Sequence, residues 1–426
     1  MTDQNTSTST SGYGAASGSA PVPSPFAGLP RKVDAAIGKG LARITGGPVA
    51  PYQSAVIRIG FSLTWLAFLL REWVHRDELY GPDSPWSWSM ARALIATNHA
   101  FTVLMWSDSR AWFEFVYAAA IAASVMLLVG WRTRTASLLF MIGVLALQNR
   151  SVFEGDGGDN VIHIMAIYLV FARCGQVWSL DARRARRSAD RDRDRDWDRD
   201  RDRDPVGIVM WVVFAAVLAL VTVLGKLSTG WALILWGFLA AQAAWWLVRR
   251  YAPGEPRTVM TMVGNVVHAG AMLVIVVEVC LIYSTAGWYK ITGSRWEDGT
   301  ALYYPLHLAD FTPWPALSHA LGSSGLIVML ITYGTVAVQV AFPFTLFNRR
   351  VKNVLLVMMM CEHAGIAVVL GLPFFSLAMI TADSVFLPTS FLRWVGDRVV
   401  RALPGRRAVV PRQRSEGEPS ASTLPV

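Results

Sequence analysis

Charge is scarce in this chain. Asp, Glu, Lys and Arg make up 16% of its 426 residues, where a soluble domain carries about 25%. Apolar residues reach 53% and the mean hydropathy is +0.38, so an ordinary soluble globule is excluded. Cysteine is scarce as well. Cys174, Cys280 and Cys361 are the three present; all lie in apolar runs, none joins a close-spaced motif, and their number is odd. A disulfide framework or a zinc ribbon does not follow. No His/Cys/Asp spacing suits zinc, so no metal is expected. A long basic arm with interleaved aromatics is also missing. The net charge of +9 is therefore not read as a nucleic-acid footprint; arginines flanking membrane spans account for it.

What the chain does have is apolar blocks long enough to cross a bilayer, which takes about 20 residues. The reading is an all-α polytopic integral membrane protein, a bundle of about ten transmembrane helices. The expected spans are Tyr52–Trp73, Ala111–Trp131, Ala136–Gln148, Val161–Trp178, Val206–Leu224, Trp231–Val248, Val259–Thr285, Leu326–Leu346, Val354–Leu370 and Phe374–Phe391. The third is short and is expected to begin within the preceding arginine turn.

Residues 1–50 read as a disordered tail rich in Ser, Thr, Gly and Pro, without the apolar core of a signal peptide. Residues 51–182 hold spans one to four and 206–395 hold spans five to ten. Between them, 183–205 alternates Arg and Asp. On a helix that pattern sets like charges four residues apart, and nothing apolar is available to bury, so a hydrated cytoplasmic linker is expected. Residues 396–426 read as a second disordered tail.

Arg132, Arg134, the Arg/Asp linker, Arg249, Arg250, the Asn348–Lys352 turn, Arg393 and Arg398 all fall on one side of a ten-span arrangement. The positive-inside rule makes that side cytoplasmic, with both termini there, and the plasma membrane is the expected location. The loops 79–109, 149–160 and 288–324 and the short turn near Gly371 then face outward, and any reaction centre is expected in the outer half.

Ionisable groups within a membrane are costly and each is a functional candidate. His163 opens span four, with Asp159 one helical turn before it. Glu362 and His363 lie near the middle of span nine and Asp383 near the middle of span ten. Asn265, His268 and Glu278 lie in span seven. For His268 and Asp383 the expectation is a structural role, since such groups commonly hydrogen-bond a neighbouring helix. Glu362 and His363 point about 100° apart on a helix and are not expected to face one small ligand together.

Lys290, just past the outer end of span seven, stands in "AGWYKITGSRW". A lysine at a span end commonly snorkels to the headgroups. Outer ends are poor places for orienting lysines, however, and Trp288, Tyr289 and Trp296 surround this one in sequence. They are expected to form a half-dry pocket, in which an uncharged amine can take a proton from a bound substrate. The "GSSG" at Gly322–Gly325 matches a serine-protease pattern, but Ser324 at the membrane edge and His363 about 13 Å deeper are too far apart for nucleophile and base.

Three stretches, "GWRTRTASLLFMIGVLALQNRSVFEGDGGDNVIHIMAIYLVFA", "AGWYKITGSRWEDGTALYYPL" and "FPFTLFNRRVKNVLLVMMMCEHAGIAVVLGLPFFSLAMI", resemble the HTTM (horizontally transferred transmembrane domain) family, related to the vitamin K-dependent gamma-carboxylase and to sporulation-delaying protein B. The resemblance covers roughly residues 54–394. It implies a reduced quinone of the vitamin K or menaquinone kind, with oxygen and carbon dioxide, and a catalytic lysine corresponding to Lys290. It also implies an active-site histidine, whose nearest match is His163 after Asn160, at a different spacing. Candidate catalytic residues are thus Lys290, His163, Glu362 and His363. Candidate quinone or substrate contacts are Trp288, Tyr289, Trp296, Asp159 and Asn160.

The carboxylase's large lumenal substrate-gripping region has no counterpart here, so propeptide-directed glutamate carboxylation is not the expectation. Membrane lipid and an exported peptide are the expected partners. The alternative is a non-catalytic membrane protein that assists export, maturation or immunity for a secreted product. A transporter is a third reading, without an inverted repeat to support it.

Overall fold

The computed structural model describes residues 29–193, 205–252 and 254–402. These are helical, with no strand among the described residues. In chain order the helices are α1 Leu29–Gly46, α2 Pro51–Arg71, α3 Arg76–Tyr80, α4 Trp88–Asn98, α5 Arg110–Val129, α6 Thr133–Gln148, α7 Gly157–Phe171, α8 Leu180–Arg193 and α9 Pro205–Val223. There follow α10 Thr229–Tyr251, α11 Glu255–Ile291, α12 Ser294–Glu297, α13 Pro315–Gly322, α14 Gly325–Ala341, α15 Arg349–Val369, α16 Pro373–Asp383 and α17 Thr389–Ala402.

Among the described residues, seven helices are long and apolar enough to cross a membrane: α2, α5, α9, α10, α11, α14 and α15. An eighth results if α16 and α17 are counted as one bent span, and α6 and α7 are shorter apolar helices. Large apolar side chains on the outward faces of the long helices, such as Leu273, Leu281, Leu330 and Val357, are exposed, as lipid-facing residues would be.

Helix α2 is the hub. Its apolar window is 61% buried, against 11% for α9 and α10, so α2 is central and the α9–α10 hairpin is peripheral. Around α2 pack α5, α7, α16 and α17. Gly60 of α2 permits the approach of α16: a Cβ there would lie 2.4 Å from Thr381. Close approach through a small residue is the usual device where no hydrophobic force drives helices together.

One end of the bundle gathers arginine. Arg58, fully buried, donates to the carbonyl oxygens of Leu127, Leu128 (2.7 Å), Cys174 (3.2 Å) and Trp178 (2.8 Å). Two of these acceptors, Leu127 and Leu128, belong to the last turn of α5, where carbonyls outnumber helical donors. Asp181 does the converse for α6, accepting from the backbone N–H of Arg132 (2.9 Å) and Thr133 (2.8 Å). Arg134 lies over the Trp245 ring and Arg393 over Tyr52.

The structure corrects several boundaries. Helix α1 occupies part of the expected N-terminal tail and is tied to α11 by Asn265, which donates to Thr45 O at 2.8 Å; His268 donates to Val49 O, in the turn after α1, at 2.7 Å. Helix α8 continues into the Arg/Asp tract as far as Arg193, started by Ser179, whose hydroxyl accepts from Ala182 N–H at 2.9 Å; a capped first turn offsets the cost of nucleation. Span ten does not run straight to Phe391. A 3-10 turn, Ser384–Phe386, extends α16, the segment breaks after Phe386, and α17 departs at 117°, because Leu387 before Pro388 is extended (φ −64°, ψ 138°). Helix α17 also runs past the expected start of the C-terminal tail. The rest of that tail, the first 28 residues and the linker from 194 to 204 lie outside the described residues.

Candidate functional site

Helix α11 sets the site. It has 37 residues, about 55 Å at 1.5 Å per residue, and does not stop at Thr285 but continues through Lys290, which lies in its last turn. One turn before Lys290, Gly287 lets α14 come close: a Cβ there would meet Val340 at 2.6 Å. That contact brings Gln339 within reach of the amine.

Lys290 Nζ donates to Gln339 Oε1 at 2.8 Å, and Gln339 Nε2 donates to Glu362 Oε1 at 2.6 Å. The amide thus bridges an amine on α11 to a carboxyl on α15. Gln339 is 5% exposed, and Lys290 and Glu362 are half-buried. Nζ also stands 5.1 Å from the centroid of the Trp296 ring, within cation–π range. The short helix α12 carries that indole, its turn closed by Trp296 N–H donating to Gly293 O at 2.8 Å.

Seven residues before Lys290, two turns down nearly the same face, Tyr283 enters a second polar group. Its hydroxyl lies 2.9 Å from Asp383 Oδ1 and 3.1 Å from His363 Nε2. Tyr283, His363 and Asp383 are all buried. Phe342 and Phe375 pack edge-on against this group.

The expected site residues therefore divide. Lys290, Glu362 and Trp296 come together. His363 joins Tyr283 and Asp383 instead, as the 100° offset from Glu362 requires. Asp383 does bond a neighbouring helix. Trp288 and Tyr289 are 68% and 79% exposed; the helix turns them away from the face that carries Lys290, so the expected aromatic pocket reduces to Trp296. Asp159 turns back to cap its own helix, Oδ2 accepting from Asp156 N–H at 3.0 Å, in a reciprocal capping box with Asp156. Asn160 is exposed. His163 pairs through Nδ1 with Gln148 Oε1 at 2.9 Å and makes no hydrogen bond to the Lys290 chain. Ser324 caps α14 by accepting from Ile327 N–H and has no bond to His363.

His268 is structural. Its Nδ1 accepts from Arg173 N–H at 3.0 Å, so its Nε2 carries the hydrogen donated to Val49 O.

Gln339 and Tyr283 are the site residues that sequence reasoning missed. Gln339 was visible as a lone amide in the apolar run "LIVMLITYGTVAVQVAF". Tyr283 was visible by its heptad spacing from Lys290. No family model, no curated protein and no solved structure matches this chain.

Proposed function

We propose that the chain is a ten-span membrane protein of the HTTM kind in which Lys290 serves as a base toward a reduced quinone, with both termini cytoplasmic and the Lys290 end facing outward at the plasma membrane. The two short apolar helices and the bent α16–α17 segment bring the seven long helices to ten. The observation that carries the chemical reading is the Lys290–Gln339–Glu362 chain, an amine held between three apolar helices by an amide and a carboxyl.

The donor set fits a reduced quinone. Gln339 takes one of the three hydrogens of a lysine ammonium, and Trp296 offers an aromatic wall. When bound, the quinone supplies a weakly acidic hydroxyl and the reducing power for chemistry with oxygen and carbon dioxide. This chain's own residues do the rest. Lys290 takes the proton at Nζ. Gln339 fixes the position of that nitrogen. Glu362, across the amide, stabilises the ammonium that results. Half-burial among apolar helices limits competition from water.

The product is a modified lipid or exported peptide at the outer face. Mass spectrometry of lipids that co-purify with the protein tests the reading. A stoichiometric quinone that is reduced several-fold in Lys290→Ala and Trp296→Ala supports it. Equal quinone content in all three proteins removes the site from quinone binding and favours a non-catalytic role in export, maturation or immunity.

A further inference from the structure

The buried group formed by Tyr283, His363 and Asp383 is incompletely satisfied. His363 Nδ1 and Asp383 Oδ2 have no hydrogen-bond partner, although His363 is 2% exposed and Asp383 fully buried. A polar atom left without a partner in such a place is costly, and a merely structural triad would be expected to satisfy both. The two orphans lie at opposite ends of one hydrogen-bonded row, Nδ1–ring–Nε2···Oη···Oδ1–carboxyl–Oδ2, in which every inner link is made.

Such a row has two consistent forms that differ by one proton. In the first, His363 Nε2–H donates to Tyr283 Oη, Tyr283 O–H donates to Asp383 Oδ1, and the carboxylate is ionised. In the second, Asp383 is a neutral acid donating to Tyr283 Oη, Tyr283 O–H donates to His363 Nε2, and the ring hydrogen is on Nδ1. A proton arriving at Nδ1 converts the first form to the second. It displaces the Nε2 hydrogen to Tyr283, which passes its own hydrogen to Asp383. One proton enters, none is lost, and no heavy atom needs to move far.

We propose that Tyr283, His363 and Asp383 form a binding site for one proton, admitted at His363 Nδ1 and held on Asp383 through Tyr283. Two charged groups act on it from neighbouring positions: Glu362 on α15, electrostatically coupled to Tyr283 and Asp383, and Lys290 on α11, coupled to His363. Gln339 joins those two. Other ionisable side chains of the packed helices have partners of their own: on α2, Arg58 with the α5 carbonyls and Arg71 with Glu72; on α7, Asp159 in its capping box and His163 with Gln148; on α15, Lys352 with the Phe386 carbonyl. Tyr168 on α7 and Glu278 on α11 interact electrostatically with each other. Phe342 contributes only its ring. The site stands whether or not Lys290 acts on a quinone.

Infrared difference spectroscopy of the purified protein between high and low pH tests the proposal. The wild type is expected to gain a protonated-carboxyl band on acidification that Asp383→Asn lacks, Glu362→Gln keeps and Asp383→Glu shifts in frequency. Tyr283→Phe, which cuts the row, should displace the titration of that band by a factor of ten or more in proton concentration. His363→Gln should slow its appearance after a pH jump at least tenfold. Size-exclusion profiles establish which variants fold. If Asp383→Asn does not, the frequency shift in Asp383→Glu identifies the band. A spectrum with no titrating band assignable to position 383 overturns the proposal. So does a Tyr283→Phe protein whose band titrates as in the wild type.

Discussion

Glu362 and His363 are adjacent in sequence and belong to different hydrogen-bond systems. Glu362 accepts from Gln339 and through it reaches Lys290, while His363 meets the Tyr283 hydroxyl that also bonds Asp383. One turn of α15 thus presents a carboxyl to a half-buried amine and an imidazole to a closed interior. The division allows the two systems to be disturbed separately.

Gln339→Leu should break the link between Lys290 and Glu362 while keeping side-chain volume close. An interhelical hydrogen bond in a membrane is worth about 0.6–2 kcal/mol. The variant should therefore melt only a few degrees lower in detergent, yet lose tenfold or more in any quinone-dependent turnover. Unchanged turnover at matched stability would show that the amide does not position the amine.

Arg58→Leu should be far more damaging. It removes the guanidinium donor from two carbonyls at the end of α5 and two in the α7–α8 connection, and hydrogen bonds to a charged group each contribute about 1.5–3 kcal/mol. Loss of folded protein on size exclusion, or a fall in melting temperature well beyond that of Gln339→Leu, is the expected outcome.

Arg150→Ala should loosen the loop that precedes α4. The buried guanidinium donates to Gly81 O (3.0 Å), Ser84 Oγ (2.9 Å) and Trp86 O (2.9 Å). Limited proteolysis should cut this variant within 81–87 under conditions that leave the wild type intact, with the spans unaffected.

The sequence carried the helical architecture because long apolar runs have few alternatives in a bilayer. Lys290 and Glu362 were legible because an ionisable group in an apolar run stands out. Their partners were not, since Gln339 and Tyr283 acquire meaning only once α11, α14 and α15 are packed, and Gly287 sets that packing. Trp288 and Tyr289 misled because closeness in sequence to Lys290 is not closeness on a helix. Asp159 misled for a related reason. Its spacing from His163 fits one helical face, but a carboxyl in the first turn is also well placed to cap its own helix. The break after Phe386 was signalled by Pro388, within a stretch whose hydropathy alone suggested continuity.

A pH effect is expected in the segment that holds Trp296. Hydrogen bonds from the Thr300 hydroxyl and N–H hold the Asp298 carboxyl below its ordinary range. Because this group titrates lower when folded, its contribution is present above the ordinary carboxylate pKa and is lost as pH falls through the depressed folded value. Amide exchange at Thr300 should accelerate, relative to its intrinsic rate, only at the acid end. Asp298→Asn should abolish the pH dependence.

Orientation can be read by labelling in a cysteine-free background. With Trp288→Cys, an impermeant maleimide should react from outside intact cells. With Arg398→Cys, on α17, reaction should require permeabilisation. The reverse pattern would invert the topology and place Lys290 in the cytosol.

The most direct test of Lys290 as a base is turnover of reduced quinone by purified protein in the presence of oxygen and bicarbonate, followed as quinone epoxide or carboxylated product. Loss of a positioned general base costs about 10²–10⁴ in rate. Lys290→Ala should therefore fall by at least a hundredfold and recover in part when a small primary amine is added. Equal rates in wild type and Lys290→Ala would contradict the assignment.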